Sequence, residues 1–155
     1  MSLAERIEPL VYKIVNPFMK AFLRSPFHGS LSGSLAILHF RGRKSGREFE
    51  TPLSYVREDS TICLLSAQTT NWWKNLRDEG TPVRIEIARE TLTGKTRLWE
   101  GDSEALRTRV RRYLCTLPRD AKFYAVELDE QGQPVEESLA KAFPQLVFLE
   151  IELDS

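Results

Sequence analysis

The sequence predicts an α+β domain in which a small antiparallel β-barrel of about six strands carries peripheral helices. Short runs rich in β-branched and aromatic residues follow one another closely, several with apolar and polar positions in alternation. The connections between most of them are too short for the crossovers that parallel pairing requires, so neighbours should pair antiparallel. Closure into a barrel then removes the exposed edges. Helical periodicity is confined to the N-terminus and to segments between strands.

In chain order, Ile7, Leu10, Val11, Ile14, Val15, Phe18, Met19, Phe22 and Leu23 recur at helical spacing, with Lys13, Lys20 and Arg24 off that stripe. Pro17 has no amide hydrogen to give, so a kink or break is expected near Asn16. This amphipathic helix can cover its own barrel or that of a second copy in a homodimer. Its basic polar face also permits peripheral contact with an anionic membrane surface. Residues 25–34, rich in Ser, Gly and Pro, read as loop. Residues 1–34 are therefore expected to be a helix-and-loop extension of one domain spanning 1–155.

A short apolar strand is expected over 35–41. Residues 49–57 follow, with Phe49, Thr51, Leu53 and Tyr55 on one face, and 61–66 form a third strand after the turn at Glu58-Asp59. Thr70 can cap a short helix ending at Leu76, with Trp72 and Leu76 one turn apart. Val83, Ile85 and Ile87 alternate with Arg84, Glu86 and Ala88, the pattern of a sheet with one wet face. A tight connection at Arg89-Glu90 leads into 92–99. Asp102 or Ser103 can cap a longer helix whose buried stripe is Leu106, Val110, Tyr113 and Leu114, stopped by Pro118. A third helix is expected over 135–143. The last strand, 146–153, alternates Val147, Leu149, Ile151 and Leu153 with Glu150 and Glu152.

Composition narrows the function classes. The 22 basic residues balance the 22 acidic ones, so no general attraction to nucleic acid is expected. Cys63 and Cys115 lie far apart and flank no other candidate ligand, which argues against a disulfide framework or a metal site and for a reducing cytoplasm. The first residues lack the basic start and apolar run of a secretory signal, and no stretch is long and apolar enough to cross a bilayer. The expected location is the cytoplasm, with the N-terminal helix able to rest on the inner face of the membrane.

The segment richest in chemistry is Arg41-Gly42-Arg43-Lys44-Ser45-Gly46-Arg47, four cations and two glycines between two strands. Glycines let a backbone turn sharply and approach a ligand. Arg offers a planar fork to phosphate or carboxylate, Lys a point charge and Ser a hydroxyl. The string suits an anionic group at the mouth of a barrel, and equally a solvated hairpin turn.

Gly42-Arg43-Lys44-Ser45-Gly46, followed five residues later by Thr51-Pro52-Leu53, resembles the deazaflavin-dependent nitroreductase family. Its members bind the reduced cofactor F420 in a split β-barrel. Trp72-Trp73-Lys74-Asn75-Leu76 is similar to that family's Trp-x-x-Asn-Leu helix, and follows a strand ending in the small residues Ser66-Ala67. The resemblance implies an oxidoreductase that passes a hydride from reduced F420, or from FMN in its place, to a small organic acceptor such as a quinone, enone or nitro compound.

By the same resemblance, Lys44 and Ser45 lie by the cofactor's phosphate-bearing tail, flanked by Arg43, Gly46 and Arg47, with Thr51, Pro52 and Leu53 on the following strand. Ser66, Ala67 and Gln68 lie against the ring system, where backbone N–H groups can stabilise developing negative charge. Trp72 and Asn75 support the site or touch the cofactor. No catalytic side chain is implied, because the cofactor carries the hydride chemistry.

The chain departs from the family pattern twice. Phe49 stands where the family usually has an Arg, with Arg47 on the same strand face two positions earlier. Gln68-Thr69-Thr70-Asn71 replaces a longer Lys-Gly-Gly-like loop before the Trp. The shorter loop keeps a second reading open, a non-catalytic module of the same fold holding a flavin-like or lipid-like anionic ligand.

Other features read as structural. His39, on the face of Leu35 and Ile37, is expected to be a packed or partnered histidine. Ser45 lacks a Gly-x-Ser-x-Gly setting for a nucleophile. Arg107, Arg109, Arg111 and Arg112 read as a solvated helix face, and Tyr113, Phe123 and Tyr124 as core rather than pocket border.

Overall fold

The computed structural model describes residues 19–21, 24–25 and 34–155. Seven strands form one antiparallel sheet: β1 (Leu35–Arg41), β2 (Glu48–Ser54), β3 (Val56–Glu58), β4 (Thr61–Ala67), β5 (Thr81–Ile87), β6 (Glu90–Glu100) and β7 (Leu146–Leu153). Their order across the sheet is β2-β1-β5-β6-β7-β4-β3. β2 and β3 therefore lie at opposite edges, although Tyr55 alone separates them in the chain. One residue cannot span a flat seven-stranded sheet, since neighbouring strands are ~4.8 Å apart. The sheet must curl until its two edges meet, and the split barrel follows from that connection.

The single strand expected over 49–57 is thus divided. Tyr55 is buried and its N–H donates to Ser34 O (3.0 Å) at the entrance to β1, which pins the crossing point. Because β3 has only three residues, it pairs β4 only from Thr61 to Cys63. The rest of β4 has no strand on that side, and a 3-10 turn, Pro118–Tyr124, bridges the gap. Tyr124 Oη donates to Leu65 O (2.9 Å), Ser54 Oγ donates to Asp120 Oδ1 (3.4 Å) and Arg119 Nη2 donates to Ser34 O (3.4 Å).

Two apolar layers result. Inside the barrel, Leu38, Ile62, Leu64, Trp73, Leu76, Ile85, Leu149 and Ile151 are almost fully buried. Outside it, helix α1 (Glu104–Thr116) lays Leu106, Val110, Tyr113 and Leu114 on Val56, Cys63, Leu65 and Phe148. Helix α2 (Glu136–Ala142) and the 3-10 turn Phe143–Gln145 complete this layer. β7 lies between the two layers. Its first four residues, Leu146 to Leu149, are consequently all buried, not alternately as expected, because α1 covers the face that a one-sided sheet would leave wet.

Ser103 caps α1, its Oγ accepting from Leu106 N–H (3.2 Å), as its position before the apolar stripe predicts. The expected helix after β4 is instead a 3-10 turn, Trp72–Leu76, which buries Trp73 rather than Trp72. Thr70 does not cap it: its hydroxyl donates back to Ala67 O (2.9 Å).

Most of the expected N-terminal helix lies outside the described residues; 19–21 are helical. Lys20 and Arg24 reach the outer face of β1, β2 and β5. Among the described residues no helix is long and apolar enough to cross a membrane.

Candidate functional site

The basic string forms the tip of the β1–β2 hairpin. Gly42 N–H donates to Arg47 O (2.8 Å), Gly46 N–H donates to Gly42 O (2.9 Å), and Ser45 Oγ accepts from Arg47 N–H (3.2 Å). Gly46 has φ +69°, in the left-handed region that side chains disfavour. At Gly42 a Cβ would stand 2.8 Å from both the Phe49 ring and Ser45 Oγ. The turn itself therefore demands both glycines, whether or not a ligand binds.

The turn does not demand its charge. Arg43, Lys44 and Arg47 are exposed, and among the described residues none of them meets a carboxylate. Elsewhere the arginines are mostly neutralised: Arg77 sits on Glu100, Arg84 on Glu48, Arg107 on Asp102 and Arg111 on Glu136. Three uncompensated cations on a backbone-braced turn make an anion-attracting tip.

An aromatic wall runs down from this tip. The Arg47 guanidinium lies 5.8 Å from the centre of the Phe49 ring. Phe49 stacks on Phe40 at 5.7 Å, and Phe40 meets Trp72 at 6.4 Å. Phe49 is 41% exposed, so the wall is open to solvent at its outer end. This follows from alternation: Phe40 and Phe49 are register partners and project to the same side.

The two motifs meet through Asn75. Its Oδ1 accepts from Arg43 N–H (2.9 Å), while its Nδ2 donates to Trp72 O (3.0 Å). One side chain thereby fixes the basic turn against the Trp72–Leu76 turn, about 30 residues away in the chain. Strand pairing can bring such segments together, but their spacing in the sequence carries no signal of this contact.

The remaining expected site residues divide. Thr51 and Leu53 face the barrel interior with Phe49, half-buried, whereas Pro52 projects to the outer side with Glu50. Ser66 is 4% exposed, and its hydroxyl shares a 2.6 Å hydrogen bond with Thr70 Oγ1, so it braces the loop from beneath. Ala67 O accepts from Thr70 N–H (3.1 Å) and from Trp73 Nε1 (3.2 Å). Gln68 N–H donates to Gln145 O (2.8 Å). That amide, expected to face developing negative charge, is engaged by the neighbouring 3-10 turn. The short 68–71 loop has tightened onto the end of β4.

Sequence reasoning missed the 118–124 turn. It brings the Tyr124 hydroxyl to Leu65 O at the open edge of β4 and the buried Asp120 carboxylate to Ser54 and Tyr113. Phe123, expected in the core, is 71% exposed. Tyr113 is buried as expected, and burial holds its hydroxyl well above the ordinary phenol range. Pro118 and the acidic and basic residues after it resemble a loop; the only signal of a packed turn was Tyr124 six residues past the proline.

The sequence pattern that defines the F420H(2)-dependent quinone reductases matches residues 23–128. No curated protein matches the chain. Among solved structures, an F420-H2 dependent reductase is similar at TM-score 0.54 and 18% identity, covering 77% of this chain and 94% of that one. An FAD and heme binding protein from Mycobacterium smegmatis is similar at TM-score 0.54 and 16% identity, covering 84% of this chain and 67% of that one. A protein solved as a domain-swapped dimer gives TM-score 0.53 at 14% identity, covering 97% of this chain and all of that one. At these identities the structures establish the shared fold.

Proposed function

Because the chain belongs to the F420H(2)-dependent quinone reductase family, we propose that it reduces a small organic acceptor at the expense of reduced F420, with quinones the first class to test and enones and nitro compounds next. The observation that carries this reading is the set of exposed, uncompensated cations Arg43, Lys44 and Arg47 on a turn locked to Trp72–Leu76 by Asn75.

The donor set fits an anionic tail of phosphate and carboxylate groups. Arg43 and Arg47 offer planar forks, Lys44 a mobile point charge and Ser45 a hydroxyl. The Phe49, Phe40 and Trp72 wall supplies apolar surface against which a flat ring can lie. The reduced deazaflavin, when bound, supplies the hydride. The protein's part is to hold and orient: the basic tip sets the tail, the aromatic wall limits water at the ring, and the braced 66–70 loop forms a rigid floor. No side chain is assigned a proton-transfer or nucleophilic role. FMN remains the alternative cofactor.

The test is equilibrium titration of the apoprotein with F420, FMN and FAD, followed by fluorescence and then by turnover with a quinone. F420 binding at micromolar concentration or tighter, with quinone-dependent oxidation, is the expected result. The double substitution Lys44→Ala and Arg47→Ala removes two charge-assisted contacts of ~1.5 kcal/mol or more each. Together, a loss of ~3 kcal/mol should weaken binding on the order of a hundredfold, since each 1.4 kcal/mol represents about a factor of ten. Unchanged affinity in that variant would sink the proposed tail site. Tight binding without turnover would instead favour the non-catalytic module.

A further inference from the structure

The outer face of β2, β1 and β5, on the opposite side of β1 from the aromatic wall, buries an apolar residue that the barrel does not cover. Ile37 projects to this face with His39 and is 1% exposed, yet it belongs to neither of the two apolar layers. Across the sheet it lies between Pro52 of β2 and Glu86 of β5. These two neighbours, with Leu35, His39 and Glu50 on the same face, are half-buried themselves. Side chains on one sheet face stand side by side, roughly perpendicular to it, and leave one another's tips open. A further layer therefore lies over Ile37.

The groups that grip the surrounding carboxylates identify that layer. Arg24 Nη2 lies 2.8 Å from Glu50 Oε2 and 2.8 Å from Glu86 Oε2, and its Nε donates to Glu86 Oε1 (3.3 Å). Lys20 Nζ takes the other Glu50 oxygen at 3.0 Å. His39 completes the ion-pair network, its Nε2 2.5 Å from Glu86 Oε2. The Arg24 guanidinium beside Glu50 holds its carboxyl down to about 2, and Arg24 likewise lowers that of Glu86, so both are ionised at neutral pH. Arg24 N–H donates to Lys20 O (3.1 Å), a helical turn that sets both cations on one side. In the sequence these cations border the apolar stripe that runs from Ile7 through Phe18 and Met19, and Met19 is half-buried. Cations that border a stripe and reach down to the sheet turn the stripe toward the sheet as well.

We propose that the outer face of β2, β1 and β5 is the seat of this chain's own N-terminal stripe, and that Lys20 and Arg24 are the clasp that fixes it over Ile37. Part-exposed ion pairs are individually weak, so the clasp sets position while burial of the stripe supplies most of the hold. Because Glu50 and Glu86 of the same chain engage both cations, neither is available to an anionic membrane surface. This seat is independent of the cofactor reading.

Chymotrypsin cleavage of the full chain after Phe18 and Phe22 tests this, and the parent should be cut slowly. Reversing the arm (Lys20→Glu with Arg24→Glu) or the sheet (Glu50→Lys with Glu86→Lys) should speed cleavage about tenfold, the factor that 1.4 kcal/mol represents, because cutting follows local opening. Combining all four reversals restores opposite charges and should return the rate close to the parent's. Lys20→Ala with Arg24→Ala leaves the barrel residues untouched and should act in the same direction if a reversal impairs folding. Cleavage of the parent as fast as that of the reversed variants overturns the seat, and a fourfold variant cut as fast as the twofold ones overturns the clasp. Protection regained on mixing the two reversed variants would place the stripe on a second copy. Protection of the parent lost on adding phosphatidylglycerol vesicles would place it on a membrane, and either result overturns the own-chain assignment.

Discussion

Asn75 uses both ends of its amide, accepting from Arg43 N–H and donating to Trp72 O. Its value to the site is therefore testable apart from charge on the turn itself. Asn75→Asp keeps the acceptor oxygen, loses the donor to Trp72 O and sets a negative charge against the cationic tip. The loss of one hydrogen bond costs ~1 kcal/mol of stability. The added charge should weaken F420 binding several-fold at low salt, with the deficit shrinking at high salt as screening grows. Binding that is as tight as in the parent at low salt would mean the cofactor tail does not approach this turn. The Trp-x-x-Asn spacing was visible in the sequence, but the partner of Asn75 was not, since backbone N–H groups leave no mark on residue type.

Among elements, the β5–β6 hairpin carries a local cost. Its two-residue loop, Ala88 and Arg89, has φ values of 52° and 69°, the primed turn that matches strand twist. Residues with a Cβ pay ~1 kcal/mol or more in that region. Replacing the pair with Asn-Gly should raise stability by ~1 kcal/mol, which for a domain of this size is ~2–4 °C in Tm. A melting point unchanged by calorimetry would show that contacts of the native pair offset the strain. The alternating pattern on either side located this hairpin to within a residue. The 118–124 turn escaped because its packing is tertiary: Asp120 and Tyr124 are polar-tipped residues whose partners, Tyr113, Ser54 and Leu65, come from elsewhere in the chain.

For the molecule as a whole, Asp120 is the joint that holds the curled sheet shut. It is 2% exposed and accepts from Tyr113 Oη (3.1 Å) and Ser54 Oγ (3.4 Å), joining α1 to the end of β2. Asp120→Ala leaves both hydroxyls without that partner, and a buried orphan costs ~1–3 kcal/mol. Urea unfolding should show a loss in that range and larger than the loss in Tyr113→Phe, which removes only one donor. Equal losses would mean that the Ser54 arm contributes nothing to closure.

The sequence by itself located β1, β4, β5, β6, β7 and the two helices that follow β6, with the antiparallel pairing, the Ser103 cap and the basic glycine turn, because periodicity, capping chemistry and turn chemistry act within a few residues. It also carried the family, through two short motifs. Tertiary structure alone decided that Tyr55 splits one strand between opposite edges and that the first half of β7 is buried on both faces. It also decided that Gln68 is engaged by Gln145, that Ser66 braces a loop, and that Asn75 binds the two motifs together. Each of these depends on what lies opposite a residue after the sheet has curled, and contacts between distant segments leave no period in the chain for a reader to find.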